Sequence, residues 1–339
     1  MNFRNLIPIA IRNRLNRMLG RDRRIASRDF LWDFVRYWNH SGHANPEARD
    51  ALLAKTIMTY HVLEKGLTMP DRRLGFGKDV VHRLMALVDE YVVRYGLDNW
   101  QVQHAVGVLK EYRELHLAMR YPFPPEEDRY WRTLATFLTK HPDIKASHQI
   151  HMRKDDFFAL TNSPFPEFAK SRHMVRNYAL EELPTERIID AVKIALSAPS
   201  ACNRQYTRCH CLSDKRICQS LLSLQRGNRG FGHLASKVLV VTVDLEGIDS
   251  TGERNDIYTN GGMFLMNLCY ALHYCNVAHC VLNWSRSADD DDAARSIIGN
   301  HLKKSETIVA LLSCGIAPDE FDVAMSPRKG LTEVLVVHE

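Results

Sequence analysis

Apolar residues recur at spacings of three and four in four stretches of the first half of the chain. These are DFLWDFVRYWNH, ARDALLAKTIMTYHVLEKGL, DVVHRLMALVDEYVVRYG and WQVQHAVGVLKEYRELHLAM. Each predicts a helix, and no strand-rich run interrupts residues 27–150. The texture changes near residue 165, beyond Pro-containing loops at 122–125 and 164–166. There TERIIDAVKIALSA predicts an amphipathic helix begun at Pro184. KVLVVTVD (237–244) and ETIVALLSCG (306–315) are β-branched runs of buried-strand type, and LTEVLVVHE (331–339) predicts a terminal strand. The uncharged stretch from Ile257 to Ser285 includes Asn260, Asn267, His273, Asn276, His279 and Asn283. So many polar groups are costly in lipid, so the stretch predicts a helix at the centre of a fold rather than a membrane span.

The pattern divides the chain into a basic amphipathic segment (1–26), a helical domain (27–150), a linker (151–164) and a mixed domain (165–339). The last is α/β or α+β in class. In residues 1–24, Arg4, Arg12, Arg14, Arg17, Arg21, Arg23 and Arg24 face one acid, Asp22, beside a stripe of Phe, Leu, Ile and Met. Such a segment can lie on an anionic membrane surface; a helix docked on the body or a basic tail has the same pattern.

Composition narrows the picture. The 339 residues carry a formal net charge of +5, too mild to argue for nucleic acid, and no nucleic-acid motif is visible. All eight cysteines lie between Cys202 and Cys314 with no secretory leader before them, which points to the cytoplasm. Cys209 and Cys211 flank His210 in a strand-like run, where core packing is favoured over metal. Asp289–Asp292 precede a helical run, where acids complement a helix N-terminus; no metal is expected. In HVLEKGLTMPDRRLGFG (61–77), Gly66 predicts a helix C-cap. Glu64, Lys65, Arg72 and Arg73 are candidates for an anion or substrate contact, or simply part of a solvated loop. Cys202 reads as a small packed residue.

Three short pieces of the second half combine into a chemical pattern: SRHMVRNYAL (171–180), APSACNRQ (198–205) and SPRKGLTEV (326–334). Cations near both ends of a domain can converge on one phosphate. A run of small residues lets backbone approach a flat ring. Two amides two apart match a ring edge with both donors and acceptors. FMN makes all three demands.

With GGMFLMNLCYAL (261–272) and VLNWSRS (281–287) between them, these elements resemble, in order and spacing, the nitroreductase-like FMN flavoprotein family. The resemblance covers about residues 165–339 and implies an α+β nitroreductase-like fold. It implies that Arg172, His173, Met174 and Arg176 lie at the FMN phosphate with Arg328 and Lys329. It implies that Pro199, Ser200 and Ala201 line the ring, that Asn203 bonds the flavin and that Gln205 supports the loop. Asn283, Trp284 and Ser285 would place backbone near the flavin N5 region.

Family members are typically homodimers with FMN at the interface and the long apolar helix central to it. They pass electrons from NAD(P)H to a small-molecule acceptor in a ping-pong cycle, with no protein nucleophile. This chain departs from the family pattern at Met174, Ala201 and Tyr206, where Ser, Ser and Pro are usual. HVLEKGL and RLGFG resemble the extra region of longer members associated with bacterial exopolysaccharide biosynthesis, which would set the basic N-terminus on the inner membrane. The non-enzymatic alternative is a scaffold of the same fold with a degenerate flavin site.

Overall fold

A computed structural model describes residues 20–338. Most of the basic segment expected over 1–26, and with it the expected membrane contact, lies outside the described residues. The fold is α+β, with a helical first half.

The helical half comprises α1 (Arg21–His40), α2 (Arg49–Leu67), α3 (Lys78–Tyr95), α4 (Trp100–Ala118) and α5 (Asp128–Thr139). Helices α2 to α5 share one core, in which Leu63, Leu84, Val88, Leu109 and Leu134 are fully buried. Asn99 starts α4 by accepting the backbone N–H groups of Gln101 and Val102, the usual role of an N-cap amide. Gly66 is not a C-cap. It lies inside α2, where a Cβ would come within 2.3 Å of the Phe76 ring; close packing, not the end of the helix, asks for glycine there.

The segment 151–164 is more than a linker. Strand β1 (Ile150–Arg153) and the short α6 (Lys154–Phe158) fall within or beside it. The second half continues with α7 (Phe165–Ser171), α8 (Thr185–Ala195), β2 (Thr207–Leu212), α9 (Lys215–Leu224), β3 (Lys237–Asp244) and α10 (Asp256–Tyr274). After these come β4 (Ala278–Asn283), α11 (Ala288–Ile298), β5 (Glu306–Gly315) and β6 (Glu320–Val323). Strands β2-β3-β5-β4 form one antiparallel sheet. Every residue of β3 is buried, because both faces are covered. Leu239, Val241 and Leu312 pack with Phe264, Leu268 and Leu272 of α10 and with Ile188 and Ala191 of α8. Val238, Val240 and Leu311 pack with Leu221 of α9 and Ala294 of α11. Gly261 lets α10 come close to the sheet, since a Cβ would sit 2.7 Å from Val309.

The terminal strand expected over 331–339 is not formed. Leu331–Glu333 make a single 3-10 turn, and Leu335, Val336 and Val337 are exposed. Among the described residues no strand pairs with them. Instead β6, upstream, pairs antiparallel with β1, Ile150 opposite Val323 and Arg153 opposite Glu320. This ribbon brings the C-terminal segment back past the helical half. Arg72 pairs with Asp322 at 2.9 Å, and the N–H groups of Met325 and Ser326 donate to Gln149 and Glu64.

Among the described residues, no helix is long and apolar enough to cross a membrane.

Candidate functional site

The segment 172–178 forms no regular element but is firmly held. Val175 N–H donates to the His279 carbonyl, and Ala179 N–H donates to that of Ile316. Tyr178, fully enclosed, directs its hydroxyl at the Val175 and Ser313 carbonyls, 3.0 Å from each. Met174, the departure from a serine, accepts the Val281 N–H on its sulfur at 3.4 Å. These ties fix the spacing of Arg172, His173 and Arg176 against β4.

The three side chains line a cavity of about 780 Å³ at the seam between the two halves of the chain. Its other walls come from α2 (Tyr60, His61, Glu64), from α10 (Met266, Tyr270), from Lys170, and from Ser326–Arg328. The cations are poorly matched by acids. Among the described residues, the buried Nε and Nη1 of Arg172 and Nε of Arg176 have no hydrogen-bond partner. Buried guanidinium N–H groups left in that state are costly, and they are donors open to an anion. Among the described residues, Arg328 is tethered by its own loop, Nη1 to the Ser326 carbonyl at 2.6 Å. Burial, then the charges of Arg172 and Arg328, push the His173 imidazole down. Behind Arg172, burial pushes His273 down to about 3 and His279 down to about 4, helped by the same guanidinium.

A second hollow of about 440 Å³ shares His61 and Arg176 with the first. Asn283 and Ser285 line it, as do Lys65 and Arg286. Trp284 does not; its indole N–H donates to Asp291 at 2.9 Å, and its ring packs on the core. The acids of 289–292 serve the start of α11. Asp290 pairs with Arg286, Asp291 with Arg295, and Ser287 caps the helix. Among the described residues no group of three His, Cys, Asp or Glu could hold a metal ion.

Pro199–Gln205 lines neither cavity. Ala201 N–H donates to Asn260 Oδ1 at 2.8 Å, in the first third of α10. Met266 and Tyr270 lie six and ten residues further along that helix, about 9–15 Å at its rise per residue. Asn203 and Gln205 are exposed and bond chiefly to each other. Cys202, Asn203 and Gln205 all have φ near +50°. Three non-glycine residues in the left-handed region store strain, of a kind that marks functional loops. Lys329 is exposed and lines neither cavity.

Of the candidates in 61–77, Glu64 and Lys65 reach the cavities, Arg72 is held by Asp322, and Arg73 is exposed. His61, Lys170 and Tyr270 were not anticipated. The one local signal was His61 three residues before Glu64 on a helix, which puts both on one face.

Several solved structures resemble about half of the chain. A nitroreductase-like protein from Streptococcus mutans is 19% identical, with a TM-score of 0.43 over 52% of this chain and 98% of its own. An FMN-dependent nitroreductase from Clostridium difficile is 20% identical, with a TM-score of 0.38 over 44% of this chain and 86% of its own. A nitroreductase-type protein in complex with FMN from Desulfovibrio desulfuricans is 19% identical, with a TM-score of 0.43 over 52% and 98%. No curated protein sequence matches the chain. Residues 169–230, which carry both the Arg172–Arg176 segment and the Pro199–Gln205 loop, match the sequence model of the Nitroreductase family.

Proposed function

We propose that the protein is an FMN-dependent oxidoreductase of nitroreductase type. The observation that carries this reading is the pair of buried Arg172 nitrogens, Nε and Nη1, that have no partner among the described residues, on a cavity Arg172 shares with Arg176 and Arg328, inside a stretch matching the Nitroreductase family. The residues fit a phosphate. Arg172, Arg176 and Arg328 would hold it by charge-assisted bonds, with Lys170 and His173 beside them. FMN, when bound, supplies hydride and electron transfer between NAD(P)H and a small-molecule acceptor. The chain's own residues bind and orient. Arg176 adds positive charge at the join of the two cavities, and Asn283 and Ser285 border the smaller one. Gln225 fixes the Asn283 carbonyl, donating to it at 3.1 Å.

The separation of the 199–205 loop from the cations within one chain favours a homodimer, in which each FMN meets the loop of a second copy. The outer face of α10 suits that role, since Met263, Met266 and Tyr274 are exposed on it. The likeness of HVLEKGL to longer members of the family supports a place in exopolysaccharide biosynthesis, with residues 1–24 as the membrane contact.

The test is what copurifies. Protein purified at neutral pH should show flavin absorbance in the visible blue, release FMN on denaturation, and run as a dimer. It should also be bleached by NADH or NADPH. A colourless monomer that takes up no FMN on reconstitution overturns the reading in favour of a scaffold.

A further inference from the structure

The helical half places an acid–base group at the seam. His61 lines both cavities. Its Nδ1 lies 2.8 Å from Glu64 Oε2, and its Nε2 lies 3.4 Å from Nη2 of Arg176. A guanidinium only donates. The ring therefore turns the lone pair of Nε2 toward Arg176 and the cavities, while Nδ1–H donates to Glu64. Glu64 is wholly buried. Its other oxygen faces His104 Nε2 at 2.8 Å and accepts the Ser326 N–H at 3.3 Å. Burial pushes the Glu64 carboxyl up, but the bonds from His104 and His61 outweigh it and hold the group at about 2. It is a fixed anion behind the ring, as in the carboxylate–histidine pairs that set imidazole tautomers elsewhere.

The other groups facing His61 are mostly cations. Lys65, from its own helix, lines the smaller cavity with Arg226 and Arg286 and one thiol, Cys280. Arg172, His173 and Arg176 come from the segment before α8, Lys170 from α7, and Arg328 from the C-terminal loop. The neighbouring Tyr60 hydroxyl is occupied by Gln101. An anion seated among these guanidiniums sets negative charge on the Nε2 side of the ring.

We propose that His61 is a proton-linked ligand residue of the cavity. An anionic group held by Arg172, Arg176 and Arg328 meets it as an imidazolium, the ring having taken one proton from solvent onto Nε2. The only bond formed is that N–H, and nothing is oxidised or reduced. Glu64 keeps the Nδ1 proton throughout, so the second proton enters on the cavity side. This rests on the phosphate-binding reading of the cavity and adds the helical half to the working site.

The test is calorimetric titration of the full-length, flavin-free protein with oxidised FMN at pH 7.5. Two phosphate-free buffers of different ionisation heat report the protons exchanged. The wild type should take up between about 0.5 and 1 proton per FMN. His61→Gln should still bind FMN, more weakly, with uptake near zero and with affinity nearly flat between about pH 6 and 8; His61→Asn replaces it if the glutamine variant does not fold. Undiminished uptake in the variant, or none in the wild type while FMN binds, overturns the proposal and leaves the flavin reading standing. If the wild type binds no FMN, the flavin reading fails and pyrophosphate becomes the probe. Proton uptake with pyrophosphate that is lost in His61→Gln supports the proposal, and binding without uptake, or no binding, overturns it.

Discussion

Arg72 and Asp322 lie 250 residues apart in sequence and meet at 2.9 Å, joining the loop after α2 to strand β6. His151 shares the same carboxylate at 2.9 Å. The contact fastens the helical half to the ribbon that carries Ser326–Arg328 to the cavity. Both partners are partly exposed, so Arg72→Ala should cost only about 0.5–1 kcal/mol in denaturant unfolding, and less at high salt. Loss of the tether should show as weaker FMN binding at constant overall fold. Unchanged stability and affinity would make the pair incidental.

The Tyr178 hydroxyl is enclosed and answers the Val175 and Ser313 carbonyls and the Ser313 hydroxyl. Tyr178→Phe leaves those groups partly unanswered and should cost about 1–3 kcal/mol. Because Val175 sits between Arg172 and Arg176, flavin retention should fall along with the melting temperature. A variant as stable as the parent would remove Tyr178 from the support of this segment.

His273 and His279 are held neutral by burial, at about 3 and about 4. An unfolded histidine titrates near 6.5, so between these values the unfolded chain binds more protons than the folded one. Stability should therefore fall as pH drops from about 6.5 toward 4, by several kcal/mol in total, and be flat just above 7. The loss of Glu64 as an anion acts in the same direction, below the ordinary glutamate range. His279→Gln should flatten the upper part of the curve. A midpoint independent of pH between 4 and 7 contradicts this account of the core.

Asn203 is exposed, with its amide bonded only to Gln205 among the described residues, and has φ +55°. Glycine accepts that backbone freely. Asn203→Gly should thus leave unfolding within about 0.5 kcal/mol of the parent. If the loop meets the flavin, affinity for FMN should drop by about tenfold, the worth of one good hydrogen bond. Unaltered binding and redox behaviour would leave Asn203 as a turn residue.

Legibility in the sequence followed how local each cause was. KVLVVTVD and ETIVALLSCG are read correctly to the residue, because a strand covered on both faces is apolar through most of its length. The same texture at 331–339 misleads, since a strand also needs an edge, and none among the described residues pairs with it. Gly66 is misread because its reason is Phe76, ten residues away in a loop. Convergence of Arg172, Arg176 and Arg328 on one cavity is suggested by cations near both ends of the mixed segment, and the family likeness points to the same residues. That His61 would stand beside Arg176 could not be expected, because 115 residues and a domain seam separate them.

The most direct measurement compares FMN with riboflavin on the wild type and on the double variant Arg172→Ala, Arg328→Ala. The two arginines line one cavity though 156 residues apart in sequence, and riboflavin differs from FMN only in lacking the phosphate. Charge-assisted bonds at about 1.5–3 kcal/mol each predict at least a hundredfold weaker FMN binding in the double variant. Riboflavin affinity should change by no more than about threefold, so the wild-type preference for FMN nearly disappears. Equal losses for the two flavins, or a wild type that does not distinguish them, would contradict the assignment of this cavity to the phosphate.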